Sequence, residues 1–208
     1  MRVVVYDRTC VRTRGRLSPI WATGARLYRG LRRIDAALGV ASWSEAIEWL
    51  AAQREPIREI QYWGHGKWGS ALVGEEALDA RGIERLAALR ERLAPDALLW
   101  FRTCETVGAN PGHDFAQRLA DYLGARVAGH TFVIGFHQSG LHVLSPGMRP
   151  DWPATEGLAA GTAERPERAK WSRPWEPRTI TCLSDAIPTR WLCADVRARG
   201  HERNNSVG

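Results

Sequence analysis

The chain has 208 residues, 44% of them hydrophobic and 25% charged. That is the balance of one globular domain with a core of its own, and it excludes a disordered or fibrous chain and two large domains. No run of about 18 apolar residues is present, so a membrane-spanning helix is not expected. Asp7 interrupts the first apolar run too early for a signal peptide, and a soluble, cytoplasmic protein is expected.

The formal net charge is +6. It gathers at residues 1–33, which hold nine arginines against one acid, Asp7. Such an edge suits phosphates or an acidic partner, or is simply a solvated surface. No zinc-finger, helix-turn-helix or RNA-binding pattern accompanies it, so nucleic acid is not an expected partner. The cysteines at 10, 104, 182 and 193 form no C-x-x-C pair and read as free thiols. His113, His130, His137 and His142 match no metal-binding signature with His65, and neither a metal nor a cofactor is expected.

In chain order, Arg2 to Asp7 reads as a short apolar strand entering an Arg-rich loop. Leu27, Leu31, Ile34 and Leu38 repeat at helical spacing and predict a helix over 24–38. A second helix is predicted over 42–52, where Ser42 and Glu45 match a capping box. Ile57 to Trp63 is a strand that runs into Gly64-His65-Gly66, and 67–78 reads as a hairpin. A third helix is predicted over 80–93. The apolar run Ala97 to Phe101 has the character of a strand covered on both faces, and it ends at Arg102-Thr103-Cys104-Glu105. A fourth helix over 112–123 stops at Gly124, a strand follows over 126–136, and 140–144 reads as its hairpin partner. Strands alternating with helices predict an α/β domain with a mostly parallel sheet and helices on both faces, over residues 1–145. Residues 146–208 are expected to form an irregular extended C-terminal segment, with one strand over 179–183 and disorder from Gly200.

In a parallel sheet, ligands and reactive groups collect at the carboxyl ends of the strands. Two strands separated by one crossover end in reactive side chains, His65 and Cys104, and consecutive pairing sets such ends roughly 5 Å apart. A thiol beside an imidazole is the pairing needed for a cysteine nucleophile and its base. The backbone N–H groups of Gly66 and Cys104 are candidate oxyanion donors. Side chains two apart on a strand share a face, which puts Arg102 beside Cys104. With Arg8 it is a candidate for holding an anionic group on the substrate. Lys67, Ser70 and Glu105 are further candidate substrate contacts, with Glu105 able to pair with Arg102.

The stretches IQYWGHG, ALVGEEAL, LLWFRTCETVG and HDFAQRLADYLGARVAG, in that order, resemble the caspase-like (clan CD) cysteine peptidase fold. They are most like its bacterial DUF4347-type domains, with some likeness to CHAT domains. The resemblance covers residues 1–145. It implies a three-layer sandwich, a polypeptide substrate, His65 as general base and Cys104 as nucleophile, with Gly66 and Cys104 as oxyanion donors. The sequence RTCET stands where caspases have QACRG, so caspase-type specificity does not carry over. Arg102, at the position that reads the substrate side chain there, implies cleavage beside an acidic residue. Two alternatives stay open. One is an inactive caspase-like module that binds a regulatory protein partner through the Arg-rich surface; the other is a phosphate or nucleic-acid binder using residues 2–33.

Overall fold

A computed structural model describes residues 1–11 and 16–192. The expected disordered tail from Gly200, and Cys193, lie outside the described residues. The elements are β1 (Arg2–Asp7), α1 (Ser18–Gly30), β2 (Ala36–Val40), α2 (Trp43–Ala51), β3 (Ile57–Trp63), the small strands β4 (His65–Lys67), β5 (Ser70–Val73) and β6 (Glu76–Asp79), and a 3-10 helix (Ile83–Leu89). There follow β7 (Leu93–Arg102), α3 (Ala109–Leu123), β8 (Arg126–His130), β9 (His137–Gln138), β10 (Leu141–Leu144), β11 (Leu158–Gly161), β12 (Pro166–Ala169), β13 (Ile180–Thr181) and α4 (Thr189–Leu192).

Six strands form the central sheet in the order β10-β8-β7-β3-β1-β2. All neighbours are parallel except β10, which runs antiparallel to β8. Alternation along each strand sends side chains to two separate cores. Val3, Val5, Ile60, Tyr62, Leu99 and Phe101 pack under α2, the 3-10 helix and α3. On the other face Val4 and Trp63 meet Ala25 and Tyr28 of α1. Leu98 and Trp100 meet Ile180 and Ile187 of the C-terminal segment on that same side. The architecture is a mixed α/β sandwich of three layers. No helix among the described residues is long and apolar enough to cross a membrane.

Local chemistry explains where elements begin and end. Ser42 caps α2 by accepting from the Glu45 amide at 3.1 Å, while the Glu45 carboxylate accepts from the Ala41 amide at 2.8 Å. Gly124, at φ +62°, closes α3 in the left-handed conformation. The helix expected over 24–38 is instead α1 followed by the edge strand β2. Leu27 on α1 and Leu31 at its C-cap are exposed, whereas Leu38 pairs with Val5 in the sheet, so the helical spacing ran across two elements. The helix expected over 80–93 is only the 3-10 turn. Its buried residues Ile83, Leu86 and Leu89 repeat strictly at three, the period of that helix. The strand expected over 126–136 stops at His130, and the one over 179–183 shrinks to the two residues of β13, paired with β9.

The segment after 145 is less irregular than expected, because β11 and β12 form a hairpin. It is stitched to the domain by polar contacts. Trp152 Nε1 donates to the Val107 carbonyl at 3.2 Å, and the Trp152 ring stacks on His142 at 4.5 Å. Glu156 Oε1 meets His142 Nε2 at 2.7 Å and accepts from the Thr131 hydroxyl at 2.8 Å. Burial pushes the Glu156 carboxyl up, but the bonds from His142 and Thr131 outweigh it and hold the group below the usual range. A depressed acid stabilises the fold above its unfolded pKa of about 4.3, and that contribution is lost as pH falls through the folded value. Glu156→Gln is therefore expected to lower the thermal midpoint at pH 7 by roughly 3 °C, about 1 kcal/mol. Calorimetry should show the gap to the wild type closing below about pH 4; a gap that persists unchanged into acid contradicts this.

Candidate active site

Three adjacent parallel strands, β1, β3 and β7, finish at one rim of the sheet. Tyr6 is opposite Trp63, and Trp63 is opposite Arg102, so the chain leaves all three strands level. β1 leads through Asp7 to Cys10, β3 leads to His65, and β7 leads to Cys104. His65 opens β4, which pairs with β5 to start a small three-stranded sheet at the rim. Gly66 lies hard against the Cys104 loop. A Cβ there would stand 2.2 Å from Thr106 Oγ1 and 2.9 Å from the Cys104 carbonyl, so only glycine allows this approach.

The turn after β7 is held from several sides. The Thr103 and Thr106 hydroxyls meet at 2.5 Å, and Thr106 Oγ1 donates to the Cys104 carbonyl at 3.0 Å. The Glu105 amide donates to the Phe132 carbonyl and the Gly108 amide to the Glu105 carbonyl, each at 3.0 Å. Glu105 itself sits at φ +36°, a left-handed conformation that a non-glycine residue adopts only under such constraint.

The two expected partners are brought to the same rim but are not hydrogen-bonded to each other. His65 Nε2 lies 3.3 Å from Cys10 Sγ, and the Trp21 ring meets the imidazole in a T-shape at 5.5 Å. The Cys104 thiol is directed at the Ile134 carbonyl, 4.0 Å away. Burial pushes this thiol up to about 11; backbone hydrogen bonds at Ile134 and at Cys104 itself offset part of that, and the Glu105 carboxylate adds to it. Burial likewise pushes Glu105 up to about 7 against the pull of Lys67. Glu105 Oε2 and Trp68 Nε1 are buried without hydrogen-bond partners. Beside them opens a groove of about 790 Å³ whose walls include Lys67, Trp68, Glu105, Val133, Lys170 and Trp171.

Arg102 is not beside Cys104. The strand ends at Arg102, so the alternation of faces does not extend two residues further. The guanidinium is buried over Trp100, 4.6 Å from the ring centroid. It donates to Gln138 Oε1 at 2.9 and 3.1 Å and to the carbonyls of Thr181, Cys182 and Ser184. Its contact with Glu105 is therefore not formed either. Arg8 is drawn to α2, where it pairs with Glu45 at 3.2 Å. The anion pocket expected from these two arginines does not form. Lys67 is exposed at the groove, its Nζ 5.5 Å from the Trp68 ring centroid. Ser70 Oγ donates to the Lys67 carbonyl at 3.3 Å and braces the hairpin.

The sequence reading missed Cys10 and Asp7. The signal was available: β1 is a central apolar strand that ends in an acid, with a cysteine three residues on. Asp7 is buried, and its carboxylate accepts from the Thr9 amide and hydroxyl at 2.7 Å and from the Gly74 amide at 3.1 Å. It ties the Cys10 loop to the small sheet that His65 opens.

Because Glu105 adds to the upward shift of Cys104 only when ionised, its effect should appear above pH 7. Alkylation of Cys104 by iodoacetamide, followed by mass spectrometry, is expected to run about threefold faster in Glu105→Gln than in the wild type at pH 8.5. The two rates should converge below pH 6; a ratio that does not vary with pH contradicts the coupling.

No curated protein matches the chain. The model of the family described as a domain of unknown function, DUF4347, matches residues 37–142. This stretch runs from β2 to the first half of β10, and holds His65, Gly66 and Cys104. The chain, on this match, is a member of the DUF4347 family.

Proposed function

We propose that the protein is a cysteine-dependent peptidase of caspase-like fold, with Cys104 as nucleophile and His65 as general base. The observation that supports this best is the delivery of both residues, level, from the paired strands β3 and β7 to one rim. A groove opens at the same rim; its walls include Lys67, two residues after His65, and Glu105, next to Cys104.

The thiol, at about 11, is protonated at neutral pH. Attack therefore requires the imidazole to take its proton as the carbon–sulfur bond forms, rather than a standing thiolate–imidazolium pair. Sulfur adds to the peptide carbonyl, and the N–H groups of Gly66 and Cys104 serve the developing oxyanion. The imidazolium then returns the proton to the leaving amine as the C–N bond breaks, giving a thioester on Cys104. Water, deprotonated by His65, hydrolyses the thioester and restores the thiol. For the first step the thiol turns from the Ile134 carbonyl toward the imidazole. A cytoplasmic setting fits the free thiols of Cys104 and Cys182. Arg102 and Arg8 are engaged with Gln138 and Glu45, so neither supplies a pocket for an acidic side chain of the substrate.

The second reading is a binding module without catalysis. The raised pKa of the thiol and its direction toward the Ile134 carbonyl favour it. A peptidyl acyloxymethyl ketone separates the two. The peptidase reading expects labelling at Cys104 that Cys104→Ala abolishes and His65→Ala reduces by at least about a hundredfold. Labelling no faster than that of the unfolded chain, or unchanged in His65→Ala, supports the binding module instead.

A further inference from the structure

We propose that Cys10 is a positioning residue for the His65 imidazole; this rests on the peptidase reading above. Cys10 lies in the loop that follows the third strand of the rim, β1, on the side of β3 away from β7. Its sulfur lies 3.3 Å from His65 Nε2, within hydrogen-bond reach of one ring nitrogen. Cys10 is buried, so its sulfur is presented to the ring rather than to the groove.

The sulfur is also fixed to the scaffold. The Cys10 carbonyl accepts from the Ser18 amide at 3.2 Å, and the Ser18 hydroxyl donates back to the Asp7 carbonyl at 2.8 Å. The Asp7 carboxylate ties the same loop to Gly74, in the β5–β6 turn of the small sheet that His65 opens. Trp21 of α1 limits the imidazole on another side. Both ends of the Cys10–His65 contact are therefore held by the same small assembly.

Chemistry gives the contact a direction. A neutral imidazole has one N–H and one lone pair, and to act as a base it must present the lone pair to the Cys104 thiol. With Nε2 at the Cys10 sulfur, the working nitrogen is Nδ1. The tautomer that satisfies both demands carries its proton on Nε2 and donates it to sulfur. After Nδ1 takes the Cys104 proton, both nitrogens carry hydrogen and the Nε2–H still has its acceptor. Cys10 thus selects the tautomer and the ring orientation without touching the substrate.

The test uses the full chain and iodoacetamide, with labelling at each cysteine read by mass spectrometry. Cys10→Ala and Cys10→Val, the second close in volume but without an acceptor, are expected to slow Cys104 labelling about tenfold while the protein stays folded. Cys10→Ser, which keeps an acceptor, restores the rate, and also decides the matter should the apolar variants unfold. Ring nitrogen shifts by NMR should show His65 protonated at Nε2 in the wild type and in Cys10→Ser. They should show mixed tautomers in Cys10→Ala. In a His65→Ala background, removing Cys10 should change nothing further. Slowing by His65→Ala but not by Cys10→Ala or Cys10→Val overturns this inference alone, as does a Cys10→Ser variant that fails to restore the rate. Cys104 labelling that is indifferent to His65, or fast labelling of Cys10 in its place, overturns the peptidase reading together with it.

Discussion

The parallel pairing of β1, β3 and β7 in near-level register is the constraint on which the rest depends. Neighbouring strands in such a ladder stand about 4.8 Å apart, so whatever follows their carboxyl ends is brought together. The ladder is enforced from both faces. Val4 and Trp63 are buried under α1, while Val3, Val5, Tyr62 and Phe101 are buried under α2, the 3-10 helix and α3. A slip of one residue in any of the three would turn each strand's apolar set toward the wrong layer. Cys10, His65 and Cys104 are neighbours because of this double burial, and their chemistry is a consequence of it.

A second constraint closes the sheet on the side where β7 and β8 would otherwise lie open. The C-terminal segment covers Leu98 and Trp100 with Ile180 and Ile187, and Arg102 fastens it there. A buried arginine is tolerable only when its donors are satisfied. Gln138 and the carbonyls of Thr181, Cys182 and Ser184 do this. Burial lowers the Arg102 pKa, yet the Trp100 face and the carbonyl cage are both suited to a cation. The arginine one residue before the Thr103–Thr106 turn therefore supports the rim from below, and the 146–192 segment is part of the fold rather than an appendage.

Much of the fold was legible in the sequence where the apolar pattern is unambiguous. Ile57 to Trp63 is read to the residue because Pro56 and Gly64 bound it. The alternation of strands and helices was sufficient for the α/β class, and the His65 and Cys104 ends of β3 and β7 followed from it. The misreadings have physical causes. The run from Leu27 to Leu38 satisfies helical spacing only by spanning a helix, a turn and a strand. Arg102 was placed by strand alternation at the point where the strand ends and the backbone turns, through Glu105 at positive φ. Cys10 carries only a weak local signal, a cysteine three residues past an apolar strand that ends in an acid. Its role arises from a contact 55 residues away in sequence, which only the closed sheet reveals.

The arrangement is poised rather than pre-ionised: a protonated thiol, an imidazole seated on a second thiol, and an acid beside them that titrates near 7. The most direct measurement of the central claim is a crystal structure of the adduct with a peptidyl chloromethyl ketone. The account predicts a bond from the inhibitor to Cys104 Sγ, the peptide running along the groove by Lys67 and Glu105, and the His65 imidazole beside the modified sulfur. An adduct on Cys10 or Cys182, or a modified Cys104 with the imidazole turned away from it, contradicts the account.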